Sequence, residues 1–174
     1  ENAPASIKVQ LTVPLLSDPI LGVRIEAARI LAPYPPGDLP PDLEEALKKA
    51  SKEYVDSQLA NAEAPQAQTN LGLFYGAQGK FIEAEKAFRA AIEAENQFIP
   101  AYLNLADQMR SLGNDKDGER VIEQALKVQP QNAEARLALG LLYVRRGSKK
   151  EALEQFRKAA EFGAGNPHFA YIYV

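Results

Sequence analysis

A spacing of 34 residues runs through the second half of this chain. Small residues recur at three phases of this period, in three successive blocks. The three series are Gly72, Ala106 and Gly140; Ala84, Gly118 and Ala152; and Ala91, Ala125 and Ala159. A period of this length is typical of two-helix units that cannot bury a core alone and therefore stack on their neighbours. The spacing predicts an all-α fold, an α-solenoid of antiparallel helix pairs.

The period divides the sequence into three blocks, residues 65–98, 99–132 and 133–166. In the first block, Leu71 and Tyr75 are four residues apart on the leading helix, and Ala84 and Phe88 are four apart on the trailing helix. Residues at this spacing share one helix face. A glycine also occupies the same turn phase in every block, where a helix that ends in a left-handed residue needs it. These turn glycines are Gly79, Gly113 and Gly147.

These positions resemble the tetratricopeptide repeat (TPR) family, whose pattern is a large residue and glycine, an aromatic residue, alanine, an aromatic residue, alanine and proline at fixed phases. The third block departs from the pattern only where Ala164 replaces the proline. It matches through Leu139, Gly140, Tyr143, Ala152, Phe156 and Ala159. The second block is looser, since Met109 replaces an aromatic residue, although a flexible thioether fills irregular gaps well. The resemblance implies a right-handed α-solenoid that serves as a scaffold and binds a protein or peptide partner.

The leading helices of a TPR array line a concave groove, so the resemblance also implies which residues contact the partner. By position in the repeat, the partner-binding groove is Thr69, Asn70, Leu73, Leu103, Asn104, Asp107, Arg110, Leu137, Leu141 and Val144. An apolar groove of this kind favours a helix or an extended peptide as its occupant. The alternative occupants are another domain of the parent chain or a second copy of this chain. Only Asn104 matches the carboxylate clamp of the family, so no clamp is expected.

Residues 1–39 are predicted to form a truncated HEAT-like helical segment and a linker. Asp18 is expected to cap a helix that has Pro19 in its first turn. The apolar stripe of this helix is Val23, Ala27, Ala28 and Leu31. The pattern Asp-Pro…Val-Arg resembles the second helix of a HEAT repeat. The preceding residues 5–13 are predicted to be a poor helix because they include β-branched residues and Pro14 follows them.

A long capping helix is predicted over residues 40–62, and residues 63–174 hold the three repeats and the start of a C-terminal helix over 167–174. This element order resembles the C-terminal TPR region of bacterial exported proteins whose N-terminal part is a multihaem c-type cytochrome domain. The resemblance implies an accessory or assembly domain of an electron-transfer protein, in the periplasm or outside the cell; without it, the cytoplasm is expected. The chain has no cysteine and hence no haem attachment motif, so no cofactor is expected in it.

Composition narrows the function further. The net charge of −3 and the pI near 5.3 argue against nucleic-acid binding, which depends on a clustered positive surface. No apolar run approaches the roughly 20 residues that cross a bilayer, so no membrane insertion is expected. The densest basic run, in residues 145–150, is predicted to be a solvated turn.

Catalysis is not expected either. The one histidine, His168, lies near the terminus, and the sequence holds no phosphate-binding loop, no catalytic triad and no metal-ligand spacing. The chain begins at Glu1 and its only methionine is Met109, so we expect it to be a piece of a longer protein. The sequence therefore predicts a non-enzymatic interaction scaffold.

Overall fold

The computed structural model describes residues 3–34 and 39–164. Within these ranges the chain forms nine α-helices and one 3₁₀ helix, and no strand. The elements are α1 (Ala3–Thr12), the 3₁₀ helix (Val13–Ser17), α2 (Leu21–Leu31), α3 (Pro41–Leu59), α4 (Pro65–Ala77), α5 (Phe81–Ala94), α6 (Ile99–Ser111), α7 (Asp115–Val128), α8 (Ala133–Arg146) and α9 (Lys149–Phe162). The predicted all-α class is confirmed.

The chain divides into two compact units, Glu1–Ala87 and Phe88–Val174, with the boundary inside α5. In the first unit, α2 packs against α3, and α3 packs against α4. One buried cluster consists of Leu16, Ala27, Ala28, Leu31 and Ala50. A second joins Ala32 to Tyr54 and Phe74, whose rings stack with centroids 4.4 Å apart. Aromatic stacking therefore fixes α4 on α3.

The expectation of a poor helix over residues 5–13 is wrong, because α1 occupies Ala3–Thr12. Val9 and Val13 pack against the cluster around Leu16, and burial of such side chains outweighs a modest loss of helix propensity. Pro14 does not disrupt α1, since it lies in the first turn of the 3₁₀ helix that follows. A residue at that position has no hydrogen-bond partner within the helix for its backbone N–H, so the missing N–H of proline costs nothing.

Helix α2 also begins later than predicted, at Leu21, and its N-cap is Ile20 instead of Asp18. The Asp18 carboxylate instead accepts a hydrogen bond of 2.8 Å from the backbone N–H of Ile20. This side-chain-to-backbone turn is an alternative to helix capping that Asp side chains commonly adopt. It places Pro19 before the helix.

Arg24 then ties three segments of the first unit together. Its Nε donates to Glu53 Oε2 at 2.7 Å and its Nη2 to Glu53 Oε1 at 3.0 Å, while its Nη1 donates to the carbonyl oxygen of Asp18 at 2.8 Å. The hydrogen bonds from Arg24 hold the pKa of the Glu53 carboxyl below its ordinary value. A bidentate pair fixes orientation as well as distance, so it sets how α2 lies on α3.

The second unit is built from helix pairs, with α6 packed against α7, α8 against α9, and α7 against α8. Small residues stand where the paired helices approach most closely, as the period predicts. A Cβ at Gly118 would lie 3.1 Å from the carbonyl oxygen of Ala106, and a Cβ at Gly140 would collide with the ring of Phe156. The tight turns end in left-handed glycines with φ of 73°, 80° and 79°, at Gly79, Gly113 and Gly147. Their predicted role is confirmed.

Two other predicted features remain proposals. A helix, α3, lies at Pro41–Leu59, inside the range 40–62 predicted for the capping helix, and we propose that role for it together with the domain division at residues 39 and 62. The start of a C-terminal helix over 167–174, and His168 with it, lies outside the described residues.

Candidate partner-binding surface

In the first unit, the predicted groove residues have different environments. Thr69 is only 2% exposed, so its side chain offers almost no surface to a partner in this structure. The neighbouring Asn70 is half-buried, and its Nδ2 donates to Gln58 Oε1 of α3 at 3.0 Å. Leu73, by contrast, is 50% exposed. Of these three residues, it alone offers apolar surface to a partner.

Helix α6 of the second unit contributes four predicted residues. Leu103 and Asn104 are half-buried, and Asn104 Nδ2 donates back to the Pro100 carbonyl oxygen at 2.8 Å. Arg110 Nε donates to Asp107 Oδ1 at 2.7 Å, and both side chains remain substantially exposed. Such an exposed pair contributes little to stability, so a charged group of a partner can replace either member at small cost.

Helix α8 carries the apolar part of the surface. Leu141 is 54% exposed and Val144 is 53% exposed, while Leu137 is half-buried. These three residues, spaced by four and by three, share one helix face, which we call the α8 stripe. Leu139 and Leu142 of the same helix are buried. The α8 stripe is therefore available to a partner, and its role in binding stays a prediction.

Two residues of the basic run, the arginines that end α8, form ion pairs with α7. Arg146 Nη1 lies 2.8 Å from Glu119 Oε2, its guanidinium stands 5.0 Å from the centroid of the Tyr143 ring, and Arg145 Nη2 lies 3.5 Å from Asp115 Oδ1. Burial raises the pKa of the Tyr143 hydroxyl. Acidic residues of the preceding helix therefore partly neutralise the two arginines, which disfavours anion binding by them. The sequence analysis missed these partners, although Asp115 and Glu119 stand four residues apart on one face of α7.

The repeats match a known protein family. The tetratricopeptide repeat family matches residues 65–98 and residues 103–167. These segments are tetratricopeptide repeats. The matches begin at residue 65, so the HEAT-like and cytochrome-associated resemblances of the preceding part stay predictions.

Three curated relatives are much longer than this chain. It is 35% identical over 109 residues to the Protein CTR9 homolog of Arabidopsis thaliana, covering 60% of this chain and 10% of that protein. It is 28% identical over 135 residues to the Tetratricopeptide repeat protein 6 of Homo sapiens, covering 72% and 26%. It is 30% identical over 82 residues to the Peroxisomal targeting signal receptor of Saccharomyces cerevisiae, covering 47% and 13%. The chain thus spans about a quarter or less of each relative.

Two solved structures show the same fold over nearly the whole chain. MamA superposes with a TM-score of 0.56 at 21% identity, covering 87% of this chain and 83% of that one. A thermophilic TPR protein of Thermus thermophilus gives a TM-score of 0.59 at 20% identity, covering 97% and 96%. At these identities the likeness shows the fold alone, which is of the TPR α-solenoid class.

The described residues add two observations on other functions. No three His, Asp or Glu side chains among them are grouped so that they could share a metal ion. Within the same ranges, no helix has the length and apolarity that a bilayer crossing requires. A TPR fold is typically a non-catalytic scaffold.

Proposed function

We propose that this chain is a protein-interaction scaffold whose partner packs on the leading helices α6 and α8 of the second unit, with Leu73 of α4 as a separate apolar contact in the first unit. TPR proteins in general act as interaction scaffolds. The observation that carries the finer proposal is the α8 stripe, in which Leu141 and Val144 each leave about half of their surface in water. Apolar surface of this kind gains roughly 25 cal/mol for each Å² that a partner covers.

The arrangement favours a peptide or a helix with apolar side chains at intervals of three and four residues. Such a partner would place its apolar side chains against Leu137, Leu141 and Val144, in the helix-in-groove mode. Asp107 and Arg110, exposed beside this surface on α6, would then select the charge of the partner at its edge and contribute more to specificity than to affinity.

A short peptide is the first ligand class to test. The yeast relative is, by its name, a receptor for a targeting signal, and it shares 30% identity with part of this chain. That likeness supports a peptide ligand. The particular signal named there is that of the yeast protein and is not proposed as the ligand of this chain.

The test is a selection of binding peptides from a random display library on the immobilised chain, followed by titration of the selected peptides by fluorescence anisotropy. Leu141→Glu should weaken binding at least about tenfold, since a charge would be buried against an apolar ligand. Leu153→Glu is the matched control, because Leu153 is 59% exposed on the trailing helix α9. If both variants bind the selected peptides as the unmodified chain does, the α8 stripe is not the binding surface.

A second candidate is an accessory or assembly domain of an exported multihaem cytochrome protein. The observation in its favour is the element order, in which α1, α2 and α3 precede the repeats. In that case another domain of the parent chain is the partner. Sequencing of the parent gene decides the matter: several Cys-x-x-Cys-His motifs and a signal peptide upstream of this region would support the idea, and their absence would exclude it.

A further inference from the structure

Helix α8 divides its four charged residues between different sides. They are Glu134, Arg136, Arg145 and Arg146. Arg136 turns toward its own repeat, where Nη1 donates to Gln155 Oε1 of α9 at 2.9 Å and Nη2 donates to the Pro130 carbonyl oxygen at 2.8 Å. Arg146 turns toward α7 and pairs with Glu119. The two that are left, Glu134 and Arg145, are exposed.

These two charges lie on the same helix face as the α8 stripe, one at each end of it. Glu134 stands three residues before Leu137, and Arg145 stands four residues after Leu141. Residues at these spacings are neighbours on a helix surface. The two charges are 11 residues apart, which corresponds to roughly 16 Å along the helix axis. The face is therefore negative at the N-terminal end of α8, apolar in the middle and positive at the C-terminal end.

The neighbouring leading helix does not cancel this polarity. Helix α6 contacts α8, and its charged residues are Asp107 and Arg110. These two pair with each other, so α6 adds no net charge. The polarity of the surface comes from α8.

Arg145 can donate to the carboxylate of a partner without giving up its own ion pair. Its Nη2 lies 3.5 Å from Asp115 Oδ1, and 44% of its side chain is exposed. A guanidinium carries five N–H donors, so donors are left for a second carboxylate. The pair with Asp115 disfavours a free anion. A carboxylate on a peptide that the α8 stripe already holds is at a high effective concentration, however, and can bind there nevertheless.

We propose that the partner on the α8 stripe is an amphipathic helix that lies antiparallel to α8, with acidic residues in its first turn beside Arg145 and basic residues in its last turn beside Glu134. This inference rests on the function proposed above. Helices favour this order of charges because it complements the helix dipole. An antiparallel helix of this kind meets opposite charge at both ends, whereas a parallel one would meet like charge at both. The spacing of the stripe by four and three also suits the ridges of a packed helix.

The test exploits the absence of cysteine from the sequence. A synthetic helical probe of about 15 residues carries leucines at intervals of three and four, glutamates and one cysteine in its first turn, and lysines in its last turn. Val144→Cys and Leu137→Cys each place one thiol in the chain, at opposite ends of the α8 stripe. A disulfide forms only where two Cα atoms come within roughly 7 Å, so the ratio of the two linking rates under mild oxidation reports the direction of the bound probe. The probe should link faster to Val144→Cys.

A charge swap, Glu134→Arg with Arg145→Glu, supplies the decisive comparison. It reverses the favourable direction, so the ratio of the rate at residue 144 to the rate at residue 137 should fall at least about tenfold. The unequal exposure of the two cysteines cancels, because the same two sites are compared. Glu154→Lys with Lys158→Glu, which swaps an ion pair on α9, is the matched control and should leave the ratio unchanged. If circular dichroism shows that the swapped chain loses helix, Glu134→Gln with Arg145→Gln replaces it and should still lower the ratio.

Three results would overturn the inference. A rate ratio that the swap leaves unchanged, for a probe whose binding Leu141→Glu weakens in fluorescence anisotropy, would refute the direction and leave the proposed function intact. A probe that does not bind would show that no such helix lies on the α8 stripe, and the peptide selection would then decide the proposed function by itself. A chain that dimerises in light scattering, and becomes monomeric with Leu141→Glu, would assign the stripe to a second copy.

Discussion

Gly140→Ala should destabilise the second unit, although alanine is the better helix former. Gly140 lies on α8, and a Cβ built on it would stand within 3.1 Å of three ring carbons of Phe156 on α9. Non-bonded carbon atoms prefer separations of roughly 3.5–4.0 Å. The substitution therefore forces the ring or the helix α9 to move.

Two opposing effects set the size of the change. Replacing glycine by alanine inside a helix gains about 1 kcal/mol of propensity, whereas an extra methyl group in a packed interface costs roughly 1–3 kcal/mol. The Phe156 ring is half-buried and can yield in part, so the expected net loss is about 1 kcal/mol. At Gly22 of α2, a Cβ would meet nothing within 4 Å, so Gly22→Ala should stabilise the protein by about 0.5 kcal/mol.

Urea unfolding followed by far-UV circular dichroism measures both changes. Two further variants, Phe156→Leu alone and Phe156→Leu combined with Gly140→Ala, remove the ring. Together with Gly140→Ala they form a double-mutant cycle that isolates the contact between residue 140 and the Phe156 ring. Alanine at 140 should become neutral or stabilising once the ring is absent. A Gly140→Ala variant that is as stabilising as Gly22→Ala, with Phe156 in place, would refute the idea that this glycine exists for close approach of α8 and α9.

Two further substitutions test local geometry. Gly147→Ala should cost about 1–2 kcal/mol in the same assay, because φ is 79° there and a Cβ disfavours that region; Gly147→Asn should cost less. Glu53→Gln tests the bidentate pair with Arg24, which lowers the pKa of the Glu53 carboxyl from its ordinary 4.5. Because this pKa is lower in the folded than in the unfolded state, the pair stabilises the fold above the unfolded pKa, and this stabilisation is lost as the pH falls through the folded pKa. The difference in unfolding free energy between the unmodified chain and Glu53→Gln should thus be present at neutral pH and shrink below about pH 4. A difference that does not change with pH would show that the ion pair with Arg24 does not stabilise the fold.

The repeats were predictable because their determinants are local or periodic. Each turn requires a residue with positive φ, and φ is 73°, 80° and 79° at Gly79, Gly113 and Gly147. Their role as turn residues could therefore be predicted without knowledge of any neighbouring helix. The small residues at a spacing of 34 fixed which helix faces approach one another. The exposure of Leu141 and Val144 agrees with their repeat phase, and their contact with a partner stays a prediction.

The segment before the repeats was harder to predict because its structure depends on distant contacts. Propensity and Pro14 argued against a helix over residues 5–13, yet packing of Val9 in α1 and of Val13 directly after it against the buried cluster stabilises α1. The burial of Thr69 is likewise a property of the packed structure, which the repeat phase does not specify.

The sequence by itself determined the two-helix unit, its period and its turns. The turn glycines follow from local backbone geometry, and the small residues follow from a repeat that can be read along the chain. Only the tertiary structure decided that Arg24 meets Glu53, 29 residues away, that Thr69 is buried, and that Ile7, Leu11 and Leu15 are exposed to water. These outcomes depend on which surfaces happen to be covered by other helices, and the free energy of covering a surface is a property of the packed arrangement.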